Sequence, residues 1–329
     1  MLIDCHAHVL SYGTPEVMKK LGKEAALSVF RAQGKLPAHR LPTDEEWDTL
    51  KLFTDKQAEP DKILKDYQAF DKVVLLSISP SPRLEMFGTI DNTGVTDVPG
   101  LPTSEKCNDY IAAFVRKDPE KFIGFASVNP ALKGPKAAVK ELERAINDLK
   151  LKGLKLYPIY QWWSPDDKEI AFPIFEKAEE LDIPVMIHMA GTSFIDPPMK
   201  FSNPLLLDDV GREFRKLRII IPHMSIPFIQ ESLYMMTKHP NFYGDLSFYI
   251  STIDRETLYR FLLSCKPFFV PLAKLFFGSD YPSFNATELV NKLKTVNEEA
   301  ERLGKPKIPE KEIEGLLGNN FAKFFGLDE

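Results

Sequence analysis

Residues 153–190 read GLKLYPIYQWWSPDDKEIAFPIFEKAEELDIPVMIHMA. Two short apolar runs, GLKLYP and PVMIHMA, enclose a segment in which Ala171, Ile174, Phe175 and Ala178 return at helical spacing. Runs this short and this apolar fit strands covered on both faces, so the stretch reads as strand, helix and strand in one unit. The rhythm extends both ways. Upstream lie LIDCHAHV from Leu2, DKVVLLSI from Asp71 and FIGFASV from Phe122; downstream lie RIIIPHM from Arg218, FYGDLSF from Phe242 and KLFFGSDYP from Lys274. Between them, Val139, Leu142, Ile146 and Leu149 follow Pro135, a residue that suits a helix start. Leu207, Val210, Phe214 and Leu217 mark another helix, Leu289, Leu293, Val296, Ala300 and Leu303 a long one, and Pro309 to Phe325 a last one. Eight strands alternating with helices predict an α/β fold, a (β/α)8 TIM barrel formed by residues 1–329 as a single domain. Extra length falls after strands one and two. Residues 10–60, with Pro37, Pro42 and Pro60, and residues 79–103, with Pro80, Pro82, Pro99 and Pro102, are expected to be insertions roofing an active site, because loops after barrel strands lie at the catalytic face.

Composition narrows the function. With 42 basic and 47 acidic side chains the net charge is −5, so there is no basic excess for nucleic acid. The most apolar late stretch, Pro267 to Phe277, contains two prolines and Lys274 and is too short to span a bilayer. Cys5, Cys107 and Cys265 are odd in number and widely spaced, which fits neither a disulfide framework nor a Cys-x-x-Cys site. No signal-peptide pattern opens the chain, and the expected setting is cytoplasmic, with a small-molecule substrate and no membrane partner. A homo-oligomer is left open.

Chemistry collects at strand ends. His6 and His8 stand two apart in strand one, so both point inward if Cys5 and Ala7 face the helices. His188 lies late in strand five, His223 ends strand six, and Asp280 closes strand eight in GSDYP. Singly, each has a bland reading as a structural histidine or a helix cap. Together they form the imidazole and carboxylate set that suits zinc or another divalent first-row metal, and core packing has no reason to place them so. Tyr160, Gln161, Trp162 and Trp163 follow strand four, His39 and Arg40 lie in the first insertion, Arg83 in the second, and Ser247 and Tyr249 follow strand seven. Arg40, Arg83, Tyr160 and Trp163 are the substrate-binding candidates, since aromatics with a few cations suit a flat carboxylate. Packing of the insertion is the alternative for the tryptophans. Cys5, beside the candidate ligands, reads as a small core residue turned away from them.

DCHAHV, DPEKFIGFASVNP, GLKLYP, PVMIHMAGT, IIPHMS, FGSDYP and the terminal GNNFAKFFGL together resemble the amidohydrolase superfamily, in its aminocarboxymuconate semialdehyde decarboxylase-like (amidohydrolase 2) branch. The resemblance implies that His6, His8 and His188 are metal ligands, that Asp280 is both ligand and proton-transfer group, and that His223 polarises the substrate or holds the attacking water. Lys155, in KLYP, is similar to a lysine that other members carboxylate to bridge two metals. As a bare amine it is instead a cation for a substrate carboxylate or a partner for a core acid. One ion is favoured over two, zinc first and manganese as the alternative.

The function expected from sequence is metal-dependent hydrolysis of a small cyclic or aromatic carboxylate-bearing substrate, with a metal-activated water and Asp280 as proton shuttle. Met224, Ser225, Ile226 and Pro227 after His223 depart from the decarboxylase pattern, which favours hydrolysis. The alternative is a metal-dependent non-oxidative decarboxylase of an aromatic or unsaturated acid, in which Asp280 supplies the proton.

Overall fold

The computed structural model describes residues 1–9, 60–77, 103–192 and 197–327. The expected insertions, 10–60 and 79–103, lie outside the described residues except for Pro60 and Thr103. The strands are β1 Ile3–His8, β2 Lys72–Leu76, β3 Phe122–Ser127, β4 Gly153–Leu156, β5 Val185–Ile187, β6 Ile219–Ile221, β7 Phe242–Asp245 and β8 Leu275–Phe276. They form one eight-stranded sheet in sequence order, each strand parallel to the next. The β8 end returns to β1 through Cys5 N–H to Phe277 O (3.0 Å), Asp280 N–H to His6 O (2.9 Å) and His8 N–H to Tyr281 O (2.8 Å), which completes the (β/α)8 TIM barrel.

Alternation sorts the apolar side chains into two layers. Ile3, Cys5, Val74, Leu76, Ile123, Phe125, Met186, Ile220 and Phe276 fill the barrel interior. Val73, Leu75, Leu154, Leu156, Val185, Ile187, Ile219 and Ile221 face the helical shell. Helix Pro135–Asn147 starts on its proline and buries Ala138, Leu142 and Ala145, and helix Phe172–Glu180 buries Ile174, Phe175 and Ala178. The long helix expected from Leu289 to Leu303 is two, Ala286–Lys294 and Asn297–Leu303. Between them the Thr295 hydroxyl bonds back to Asn291 O (2.8 Å) and accepts from Arg255 (3.1 Å), local bonds of the kind that compete with a continuing helix.

One irregularity in β1 shapes the site. Asp4 pairs with Val73 but Ala7 with Leu75, so β1 spends one residue more than β2 across this interval, a bulge. The expectation that Cys5 faces the helices is therefore corrected: Cys5 packs inside the barrel, because the bulge interrupts the alternation and turns Cys5 as well as His6 inward. It is fully buried, and burial pushes its thiol well above the usual range, which suits a core residue.

The bottom of the barrel is sealed by the C-terminal helix Asn320–Phe325. Phe321 and Ala322 join the interior cluster, and the Phe321 ring lies 5.4 Å from those of both Phe276 and Phe325. This explains the terminal GNNFAKFFGL: Gly318 lets the chain pass β1 so closely that a β-carbon there would stand 2.4 Å from Met1 O and 2.8 Å from Ile3 N. Backbone atoms of a central strand yield little. Gly318→Ala is therefore expected to lower stability by about 1–3 kcal/mol, the usual cost of overpacking, and the urea midpoint of unfolding checks it. An unchanged midpoint shows that the contact yields freely.

Candidate metal centre

The C-terminal ends of β1, β6 and β7 and the turn after β8 bring imidazoles and carboxylates into one cluster. His6 Nε2 and His8 Nε2 are 3.3 Å apart, and Asp280 Oδ1 lies 3.5 Å from the first and 3.4 Å from the second. His223 belongs to the same group: His6, His223 and Asp280 each offer a donor atom within 4.8 Å of the others. Donors about 2.1 Å from one tetrahedral ion stand about 3.4 Å from each other, so the observed spacing fits a first-row divalent metal. His188 is set one ring further out, 5.0 Å from the His223 ring, and its Nε2 is buried with no hydrogen-bond partner among the described residues. A buried imidazole nitrogen left without a partner also fits such an ion.

The backbone is unusual where these groups emerge. His223, Met224 and Ser225 take φ of 58°, 49° and 50° in succession, Phe248 takes 55° and Asp280 takes 59°. Left-handed backbone is uncommon outside glycine and gathers at functional sites.

Asp245, at the end of β7, organises the cluster from below. Its Oδ2 accepts from His6 Nδ1 (2.8 Å), and its Oδ1 accepts from His223 N–H (3.1 Å), Ser247 N–H (2.9 Å) and the Ser247 hydroxyl. A proton fixed on His6 Nδ1 leaves Nε2 as a free lone pair toward the cluster, the arrangement carboxylates impose on metal-binding histidines. His223 Nδ1 likewise faces Ser247 O (3.2 Å). Asp245 escaped the sequence reading, although a carboxylate ending the FYGD run was the available signal.

Charge follows burial. Burial, and then the charge of Lys155, hold His6 well below the usual histidine range; burial, then His223, do the same for His188; burial, then His6, bring His223 down to about 3. All three are neutral near pH 7, as metal ligation requires. Burial works to raise the Asp280 carboxyl, but the hydrogen bond with His8 and the surrounding imidazoles of His223, His6 and His8 outweigh it and hold it well below the carboxylate range. Lys155 is fully buried with no hydrogen-bond partner among the described residues; its Nζ lies 5.2 Å from the centre of the Tyr157 ring, and burial brings it down to about 8.

The outer candidates divide. The Tyr160 ring stands 5.1 Å from that of His188, and Phe248, which the sequence reading did not single out, lies 5.9 Å from that of His223. Trp163 is corrected to a packing role: it is buried in the shell core and donates Nε1–H to Gln161 Oε1 (2.9 Å). Tyr249 packs on Phe261, with ring centres 5.0 Å apart. His39, Arg40 and Arg83 lie outside the described residues. Among the described residues no helix is long and apolar enough to cross a membrane.

The family described as Amidohydrolase matches residues 3–327. A 2-keto-4-carboxy-3-hexenedioate hydratase of Sphingobium sp. is 27% identical over 68% of this chain, and a 2-amino-3-carboxymuconate-6-semialdehyde decarboxylase of Dictyostelium discoideum is 28% identical over 56%. The chain spans 65% and 48% of the length of these two curated relatives. Among solved structures, 5-carboxyvanillate decarboxylase from Sphingomonas paucimobilis superposes with a TM-score of 0.63 at 20% identity, covering 99% of this chain and 98% of that one. A dihydroxybenzoic acid decarboxylase from Polaromonas sp., solved with bound manganese and an inhibitor, gives 0.61 at 17% identity, covering 100% and 97%. With a family match from the first strand to the C-terminal helix, this chain belongs to the amidohydrolase family and is an enzyme of that superfamily.

Proposed function

We propose that this chain is a metal-dependent carbon–carbon lyase that removes carbon dioxide from a small aromatic or unsaturated carboxylic acid. The observation that carries the reading is the cluster of His6, His8 and Asp280 at metal-ligand spacing, in a chain whose relatives include decarboxylases. Those relatives back decarboxylation better than the hydrolysis expected from sequence. His6, His8, His188 and Asp280 would hold one divalent ion, zinc by the sequence reading or manganese as in the Polaromonas structure. Bound there, the ion would stabilise negative charge developing on the substrate.

The protein's own groups supply the rest. Asp280, resting as a carboxylate, takes up a proton and delivers it to the carbon that loses its carboxylate, so that the acid leaves as carbon dioxide and the ring or chain keeps the proton. His223, with Nδ1 turned toward Ser247 O, presents Nε2 to orient the reacting group. Lys155, in the single-ion reading, stays a free amine whose charge favours an anionic substrate; in a two-ion version it would bridge as a carbamate. Tyr160 and Phe248 offer flat apolar surface to a ring, and Arg40 and Arg83 are the carboxylate clamps proposed from the insertions. The Sphingobium hydratase favours a second reading, in which the same proton relay adds water across a carbon–carbon double bond.

In heavy water, the manganese-loaded protein supplied with hydroxybenzoates and unsaturated dicarboxylates is expected to release carbon dioxide and leave one deuterium on the vacated carbon. Water addition without carbon dioxide selects the hydratase, and cleavage of lactones or amides alone returns the site to hydrolysis. Asp280→Asn is expected to keep most of its metal and lose at least about 10²-fold in kcat, the lower range for a lost general acid or base. His6→Ala should lose metal and activity together, as metal analysis beside turnover would show. Asp280→Asn turning over at the parent rate reassigns the proton to His223. In crystals grown with bicarbonate, Lys155 is expected to remain a bare amine beside one ion; added density on Nζ between two ions about 3.5–4 Å apart selects the two-ion version.

A further inference from the structure

Asp4 opens the DCHAHV motif, yet nothing in the reaction uses it. It is fully buried, and its register partner Val73 faces the helical shell, so Asp4 leaves the sheet on the side away from the proposed ion. Its carboxylate is fully engaged there. Oδ1 accepts from His6 N–H (3.0 Å) and Ser279 N–H (3.0 Å), and Oδ2 accepts from the Tyr67 hydroxyl (2.8 Å).

The two amides explain the position. The bulge falls between Asp4 and Ala7, and the N–H of His6, inside it, is taken up by Asp4 Oδ1. Ser279 immediately precedes Asp280, whose left-handed φ of 59° carries its side chain to the cluster. Asp280 is held on both sides: its own N–H goes to His6 O (2.9 Å), and the next amide, Tyr281 N–H, goes to Ser279 Oγ (3.0 Å), which lies 3.1 Å from the Tyr67 hydroxyl. One oxygen of Asp4 thus grips the backbone that presents His6 and the backbone that presents Asp280.

We propose that Asp4 is a positioning residue of the metal centre, setting the separation of His6 and Asp280 by bridging their backbones from the outer face of the barrel. This rests on the metal-centre reading of the site and is independent of which reaction the centre performs. Outer partners that orient ligands typically contribute about 10- to 100-fold to metal affinity. A purely structural role makes a different forecast: affinity then follows global stability, whichever bond of the network is cut.

Manganese titration followed by the electron paramagnetic resonance of the free ion, with the melting temperature measured in parallel, separates the two. Asp4→Ala is expected to weaken manganese binding by about 10- to 100-fold. Asp4→Asn, whose amide oxygen still accepts both N–H groups, should restore binding close to the parent. Tyr67→Phe, which removes the bond to Asp4 Oδ2 and the contact with Ser279 Oγ but leaves both backbone bonds to Asp4 Oδ1 intact, should lower the melting temperature and leave affinity unchanged. If Asp4→Ala proves too unstable to purify, Asp4→Glu, with its acceptor moved by one methylene, is expected to bind manganese more weakly than Asp4→Asn. A parent that binds no ion overturns the metal-centre reading and this one with it. A parent that binds, with Asp4→Ala or Asp4→Glu binding as tightly as Asp4→Asn, overturns this one alone, as does loss of affinity in Tyr67→Phe matching its loss of stability.

Discussion

The buried carboxylate of Asp245 is the constraint on which the upper half of the barrel depends. Removing an ionised carboxylate from water costs several kcal/mol even after relaxation, so one at zero exposure persists only if its oxygens are satisfied. Here they receive an imidazole from β1, a backbone amide from the end of β6, and both the amide and the hydroxyl of Ser247 beyond β7. Those donors cannot be supplied unless three strands end at one level and the chain after β6 turns left-handed at His223. The satisfaction of one buried carboxyl group therefore dictates the orientation of His6, the turn at His223 and the placement of Ser247 together.

Much of this was legible in the sequence, and the limits have physical causes. The eight strands announce themselves because parallel barrel strands are apolar on both faces, and the histidines stand out because they interrupt such runs at their C-terminal ends. Inward projection of Lys155 follows from simple alternation, with Leu154 and Leu156 on the shell side and Lys155 paired to the interior Met186. Alternation misleads in β1, where a bulge leaves no compositional trace and Cys5 turns inward beside His6. Asp245 was passed over because one carboxylate at a strand end resembles any other until its partners are in place. Trp163 misled for the opposite reason: an aromatic after a strand end suits a ring-binding wall and a packed core equally, and only burial separates them.

The barrel is also divided along its axis. Below, Ile3, Val74, Phe125, Ile220, Phe276 and Phe321 exclude water, and the C-terminal helix closes the mouth. Above, the interior becomes polar within about one residue per strand. Lys155 sits at that boundary, without a hydrogen-bond partner among the described residues and with Asp245 and Asp280 as the leading neighbours that favour its protonated form.

That polarity is held by strain as well as by hydrogen bonds. His223, Met224, Ser225, Phe248 and Asp280 all adopt left-handed backbone, each at a cost of about 1–3 kcal/mol for a residue that is not glycine. None of these positions has relaxed to glycine, and for His223 and Asp280 the reason is visible, since the side chain itself belongs to the cluster. The bonds that oppose the strain are local and buried: His223 N–H to Asp245, Asp280 N–H to His6 O, and Ser279 N–H to Asp4. Strain and restraint thus meet at the same strand ends, where two acids, Asp245 inside the barrel and Asp4 outside it, hold His6 from opposite faces of β1. A cluster gripped this way has its donors arranged by the fold before any ion arrives, so the free energy of binding is not spent on reorganising them.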